Sequence, residues 1–436
     1  MKRVAVEWGL GLLIGLGWLG AGCDSNSTII AADRDAAANS DVAPTADAVA
    51  EVEPDSDGPV EAADDLDTAP DLDADVAPDL DAISEDRSPP ETTDLPLTDK
   101  RKVDILFVVD NSPSMRPLQE KLSAAFPAFV DILQALPHGL PDVHVGVVSS
   151  DLGAGPTAPS PQCRVGGDQG QLQSQPRRQQ CPMVLNASDH FLASAANVQN
   201  FTGDLASAFS CIASLGDQGC GFEHQFASML RALEPATLPA TNRQFLRDDA
   251  LLAIVMLTNE DDCSAPPDSG LFDPSSQLVS DPLGPLASYR CNEFGHLCGG
   301  QPPPRSLPAG QSQVDLGQSC TSAEDGRLLR VADVIARTKA LKRDPSQIVV
   351  AAIAGPVTPY IVKVTPGTTS TGVTENQPVI AHSCVAADAS YADPAVRIRQ
   401  WTGAFGAKGL FLPICADSLA PTLQQIADAI ESNLLP

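Results

Sequence analysis

From residue 102 onward, short unbroken apolar runs alternate with segments whose apolar residues recur every three or four positions. The runs VDILFVVD (103–110), DVHVGVVSSD (142–151), ALLAIVMLTNEDD (250–262), QIVVAAIAG (347–355) and GLFLPICAD (409–417) are rich in β-branched and aliphatic residues. Such continuity leaves no wet face, so they predict strands buried on both sides. Residues 117–136 place Leu118, Leu122, Phe126, Phe129, Leu133 and Leu136 on one helical stripe. Pro117 suits a first turn and Pro127 a kink. Helical spacing also runs through 198–215, 223–235, 326–342, 395–406 and 418–435, the last with Leu419, Leu423, Ile426, Ile430 and Leu434 in step. Buried strands separated by amphipathic helices predict an α/β domain over 101–436, a doubly wound, mostly parallel sheet with helices on both faces.

The preceding residues have no such period. Residues 24–100 are rich in Asp, Ala and Pro, and APDLDA occurs twice, at 69–74 and 77–82. Residues 31–100 hold 22 acidic and 3 basic side chains, so most of the chain's net charge of -29 sits there. Dense like charge with few aromatics cannot bury enough surface to offset ordering, which predicts a disordered acidic tether. A flexible chain of that length spans roughly 45–50 Å. The acid excess also argues against a nucleic-acid partner, whose phosphates demand Lys and Arg.

Upstream, Lys2 and Arg3 precede the apolar stretch GLGLLIGLGWLG and then LGAGC. A basic start, an apolar stretch too short to span a bilayer and small residues before a cysteine predict an export signal over 1–22. LGAGC resembles a bacterial lipobox, with lipidation at Cys23 as the membrane anchor and 23–100 as the lipidated cysteine and its tether; ordinary secretory cleavage is the alternative. Ten cysteines remain: Cys163, Cys181, Cys211, Cys220, Cys263, Cys291, Cys298, Cys320, Cys384 and Cys415. An even set in an exported chain predicts five disulfides, with the pairing left open. No CxxC pair and no ligand spacing among the six histidines favours zinc.

The chemistry concentrates where the first strand ends. Asp110, Ser112 and Ser114 stand at alternate positions after the apolar run and before an amphipathic helix, so their oxygens can converge. Hard oxygen donors of this kind suit Mg²⁺, with Mn²⁺ or Ca²⁺ as alternatives. Asp110-Asn111-Ser112-Pro113-Ser114 matches the DxSxS core of the metal-ion-dependent adhesion site of von Willebrand factor A domains, and residues 102–435 resemble that family in element order. GCGFEHQFASMLRAL and LTNEDDCS are similar to a cysteine-rich, exported bacterial subgroup. The resemblance implies a six-stranded sheet and a site whose metal is completed by a partner's carboxylate. It expects a threonine before the third helix, where Gly216-Asp217-Gln218-Gly219 stands, and an aspartate where Asn259 stands. Asp217, Glu260 and Asp261 are nearby acids that can substitute, so the candidate metal set is Asp110, Ser112, Ser114, Asp217, Asn259 and Asp261.

Extra length falls at 152–195, 263–325 and 356–383, all expected at the carboxyl edge of the sheet with most cysteines. Ligands of open α/β sheets bind at that edge, so a cross-linked binding rim is expected. No GxSxG, HExxH or P-loop string occurs, and Glu223-His224 reads as a helix-start pair with local hydrogen bonds, so no enzyme is expected. The sequence therefore suggests a lipid-anchored module of the bacterial envelope, facing the periplasm or on the outer membrane. It would bind a protein ligand presenting an acidic residue. The alternative is a metal-free structural lipoprotein with a degenerate site.

Overall fold

The computed structural model describes residues 101–434 except 157, 178–180, 197, 318 and 370–371. The expected signal peptide, Cys23 and the acidic tether lie outside the described residues. In chain order the first elements are β1 (Lys102–Val109), α1 (Arg116–Gln134), β2 (Asp142–Ser149), β3 (Leu192–Ala195), β4 (Val198–Gln199), α2 (Leu205–Ala213), α3 (Gln225–Leu233) and β5 (Leu251–Leu257). Next come α4 (Tyr289–Gly295), β6 (His296–Cys298), β7 (Gln313–Asp315), β8 (Cys320–Ser322), α5 (Val331–Lys339) and β9 (Ile348–Ala354). The chain ends with β10 (Ile361–Thr368), β11 (Thr374–Ile380), β12 (Cys384–Val385), β13 (Tyr391–Ala392), α6 (Val396–Gly403), β14 (Gly409–Pro413) and α7 (Ala420–Glu431).

The main sheet runs β14-β9-β5-β1-β2-β3-β4. Its first five strands are parallel, while β3 and β4 add an antiparallel edge. Alternation sorts the side chains. Val103, Ile105, Phe107 and Val109 face the layer of α1, α2 and α7, while Leu106 and Val108 face that of α3, α5 and α6. Each strand thus needs apolar residues at nearly every position, which is why the runs are unbroken. On the first face Phe107 meets Phe126, Phe129 and Phe209; on the second, Phe226 packs on Trp401. Pro127 lies inside α1, which continues through it.

The sheet has seven strands, not the six expected, and the helix expected from Val198 begins only at Leu205. Asp204 sets that start: its carboxylate accepts from Ser207 N at 2.8 Å, a side-chain cap. The residues before it form β4, paired with β3. The three long excursions do more than decorate. They supply a three-stranded sheet, β11-β10-β7, and the pair β6-β8; the pair β12-β13 follows the third of them. The first two also contribute to an apolar interior: Ala154, Leu271 and Phe272 pack with Phe222, Leu328 and four half-cystines. Among the described residues, no helix is long and apolar enough to cross a membrane.

Five disulfides form, pairing Cys163 with Cys220, Cys181 with Cys211, Cys263 with Cys291, Cys298 with Cys320 and Cys384 with Cys415. A set of this density belongs to an oxidising, non-cytoplasmic setting.

Candidate functional site

At the carboxyl end of β1 the ladder continues one step, Asp110 N donating to Leu257 O at 2.9 Å, and then the chain turns. The Asp110 carboxylate stabilises the turn: Oδ1 accepts from Ser112 N at 2.8 Å. Oδ2 accepts from the Thr258 hydroxyl, at the end of β5, at 2.8 Å. Both Asp110 and Ser112 are buried. The Ser112 and Ser114 hydroxyl oxygens stand 3.5 Å apart. Ser114 Oγ lies 3.2 Å from Asn259 Oδ1 and 2.9 Å from Nδ2.

The neighbouring loops clamp this turn. Gln119 of α1 donates to Asp110 O and to Gly216 O, both at 2.8 Å, and accepts from Gly216 N at 3.0 Å. Gly219 N donates to Asn111 O at 2.8 Å. A Cβ at Gly219 would fall 2.4 Å from Asn111 Oδ1, so only glycine permits this approach.

Four of the six candidate ligands, Asp110, Ser112, Ser114 and Asn259, are therefore brought together. The other two are engaged elsewhere. Asp217 forms a two-pronged pair with Arg116, at 2.9 and 2.7 Å, and that hydrogen bonding holds its pKa below the usual carboxylate value. Asp261 is buried under α6, accepting from Arg397 N at 2.7 Å, Ile398 N at 3.1 Å and His296 Nε2 at 2.8 Å. Thr258 and Gln119 were not legible as site residues: Thr258 is 148 residues from Asp110, and Gln119, though nine residues away, reads as an ordinary helix position with no motif.

Two further carboxylates near Asp110 come from Glu223 and Glu260. Glu223 is 1% exposed, and its Oε1 has no hydrogen-bond partner. Its carboxyl is pushed well up, first by burial, then by repulsion from Glu260 and Asp110. Glu260 is raised by burial, then by Asp393 and Asp110. The expected local bonds of Glu223-His224 do not form: the His224 ring reaches Gly153 O, at 2.9 Å, and gives α3 no side-chain cap.

Burial lowers the pKa of His224 to about 4, so it stays neutral. Its folded pKa lies below the ordinary 6.5, so the unfolded chain binds the extra proton. Stability from this residue is full above that ordinary value and drains as pH falls through about 4, by about 3 kcal/mol in all. His224→Gln should flatten the wild-type loss between those limits by about one proton's worth of slope, measured by urea unfolding at several pH values.

The donor set suits a hard divalent ion. Among the described residues Asp110 has no Lys, Arg or His partner, and the hydroxyl and amide oxygens beside it are Mg²⁺-type donors. Among the described residues, no group of three or more His, Cys, Asp or Glu could hold a metal, so any ion here depends on those neutral oxygens. The disulfide-bonded excursions adjoin the same edge: Cys163–Cys220 ties 152–195 to the loop leading to Glu223, and Cys263 N donates to Glu223 O at 2.7 Å.

No protein-family model and no curated protein matches the chain. Among solved structures, it is similar to the pilus adhesin SpaC from Lactobacillus rhamnosus GG in an open conformation, at 13% identity and a TM-score of 0.31, covering 77% of this chain and 30% of that one. The pilus adhesin RrgA from Streptococcus pneumoniae gives 10% identity and a TM-score of 0.31, covering 76% and 44%. The chain thus spans less than half the length of either, and similarity at this level carries no inference about function.

Proposed function

We propose that the domain is a von Willebrand factor A-like binding module that grips a protein ligand through a divalent ion at the Asp110–Ser114 turn. It would be exported and lipid-anchored through Cys23 to the bacterial envelope, and it would not be an enzyme. One observation carries the reading: the Asp110, Ser112, Ser114 and Asn259 oxygens gather at the carboxyl edge of a parallel sheet with no basic side chain on Asp110 among the described residues. Asp110, Ser112 and Ser114 would hold Mg²⁺ or Mn²⁺, with Asn259 orienting Ser114 and Thr258 fixing Asp110. Once bound, the ion offers a position to an acidic oxygen of the partner, and two neutral hydroxyls leave its charge largely unspent. Gln119 keeps the turn and the Gly216 loop in register for that contact.

Millimolar Mg²⁺ or Mn²⁺ should stabilise the protein, by about 3 kcal/mol at a hundredfold excess over the dissociation constant. Ser112→Ala with Ser114→Ala should remove the thermal shift while circular dichroism stays native. A metal-free structural role is the second reading, favoured by the Ser114–Asn259 hydrogen bonds that already satisfy that hydroxyl. No shift with either metal would select it.

A further inference from the structure

We infer that Glu223 and Glu260 form a second cation site, for Ca²⁺, beside the Asp110 turn and independent of it. The two carboxylates line a cavity of about 10 Å³ together with Asp393, Asn292, Ser288 and His296. That volume is about one water-sized sphere, room for a single ion and no more.

The charge balance around the cavity is specific. Asp262 is paired with Arg397, while Asp261 and Asp393 each have a histidine nitrogen within hydrogen-bond distance, from His296 and His382. Among the described residues, neither Glu223 nor Glu260 has a Lys, Arg or His partner. Two adjoining carboxylates without a cationic partner can supply the charge that one divalent ion needs. Glu223 Oε1, buried and unbonded, is the orphan such an ion would satisfy.

The donors favour calcium over magnesium. They come from separate segments of the chain, and Asn292 of α4 and Ser288 just before it add an amide and a hydroxyl to two carboxylates. Ca²⁺ accepts six to eight oxygens in irregular arrays, whereas Mg²⁺ demands a near-ideal octahedron. Sites in modules outside the cell bind calcium with dissociation constants of about 10⁻⁴–10⁻³ M.

The test uses metal-stripped full-length protein with its disulfides intact, titrated with CaCl₂ and followed by equilibrium dialysis and thermal melting. Ser112→Ala/Ser114→Ala should retain one bound Ca²⁺ and its thermal shift. Glu223→Gln/Glu260→Gln should lose that ion, and without calcium should melt above metal-stripped wild type, having lost the repulsion. Glu260→Gln alone, at a partly exposed position, should weaken the calcium affinity at least tenfold and serves if the double variant does not fold. Calcium binding unaltered by the glutamine substitutions overturns the inference. So does a wild type whose bound calcium all disappears with Ser112 and Ser114, or that binds none, in which case the pair shares a proton instead. Because the serine and glutamate variants are scored separately, failure here leaves the Asp110 reading standing, and the reverse.

Discussion

Arg397→Met is expected to cost about 3–5 kcal/mol of folding stability, because it strands a buried carboxylate. Arg397 and Asp262 are both 0% exposed. The guanidinium donates to Asp262 Oδ2 from Nε at 3.3 Å and Nη2 at 3.2 Å, to Ser322 Oγ at 3.1 Å and to Leu329 O at 2.6 Å. It also lies over the Phe226 ring. Asp262 in turn accepts from Phe226 N at 2.9 Å and the Ser264 hydroxyl at 2.6 Å, so it fixes the start of α3. Burial raises its pKa against the pull of Arg397. Methionine fills most of the volume but leaves that charge without a counter-ion. Adding Asp262→Asn should recover part of the loss, since the stranded charge is then gone. Urea unfolding of the single and double variants measures the coupling. A loss under about 1 kcal/mol in the single variant would mean that the pair is not the anchor described.

Removing the Cys163–Cys220 bridge should cost about 4 kcal/mol, the largest value expected of the five bridges because it closes the longest loop. The two residues are 57 apart in sequence, so the bridge restricts the unfolded chain more than Cys298–Cys320 does, at a separation of 22 and an expected cost of about 3 kcal/mol. The longer bridge also ties the 152–195 excursion to the loop that delivers Glu223. Cys163→Ala/Cys220→Ala should therefore lower the unfolding midpoint more than Cys298→Ala/Cys320→Ala. The reverse order would show that native-state strain, not chain restriction, governs these cross-links.

The sheet was legible because strands covered on both faces must be apolar throughout, as Val103 to Val109 and Leu251 to Leu257 are. The edge hairpin was not: Leu192–Ala195 is four residues long, and Val198 looks like the first turn of the helix that follows. Asp204 and Ser207, spaced as a cap and its acceptor-donor pair, were the available signal for where that helix starts. Half of the site could be read from one short string, since Asp110, Ser112 and Ser114 are local. Asn259 followed from its place after a buried strand. Asp217 and Asp261 look equally suitable in sequence, but their partners Arg116 and His296 lie 101 and 35 residues away. Glu223 illustrates the converse. Its burial and its unbonded oxygen arise from packing among segments far apart in the chain, which no local pattern encodes.

The most direct test of the Asp110 site is an anomalous difference map from crystals of the protein grown with Mn²⁺. The expected result is a peak contacting Asp110, Ser112 and Ser114, with the Ser114 hydroxyl turned from Asn259 toward the ion. A map without a peak there, with Ser114 still bonded to Asn259 at millimolar metal, would contradict it.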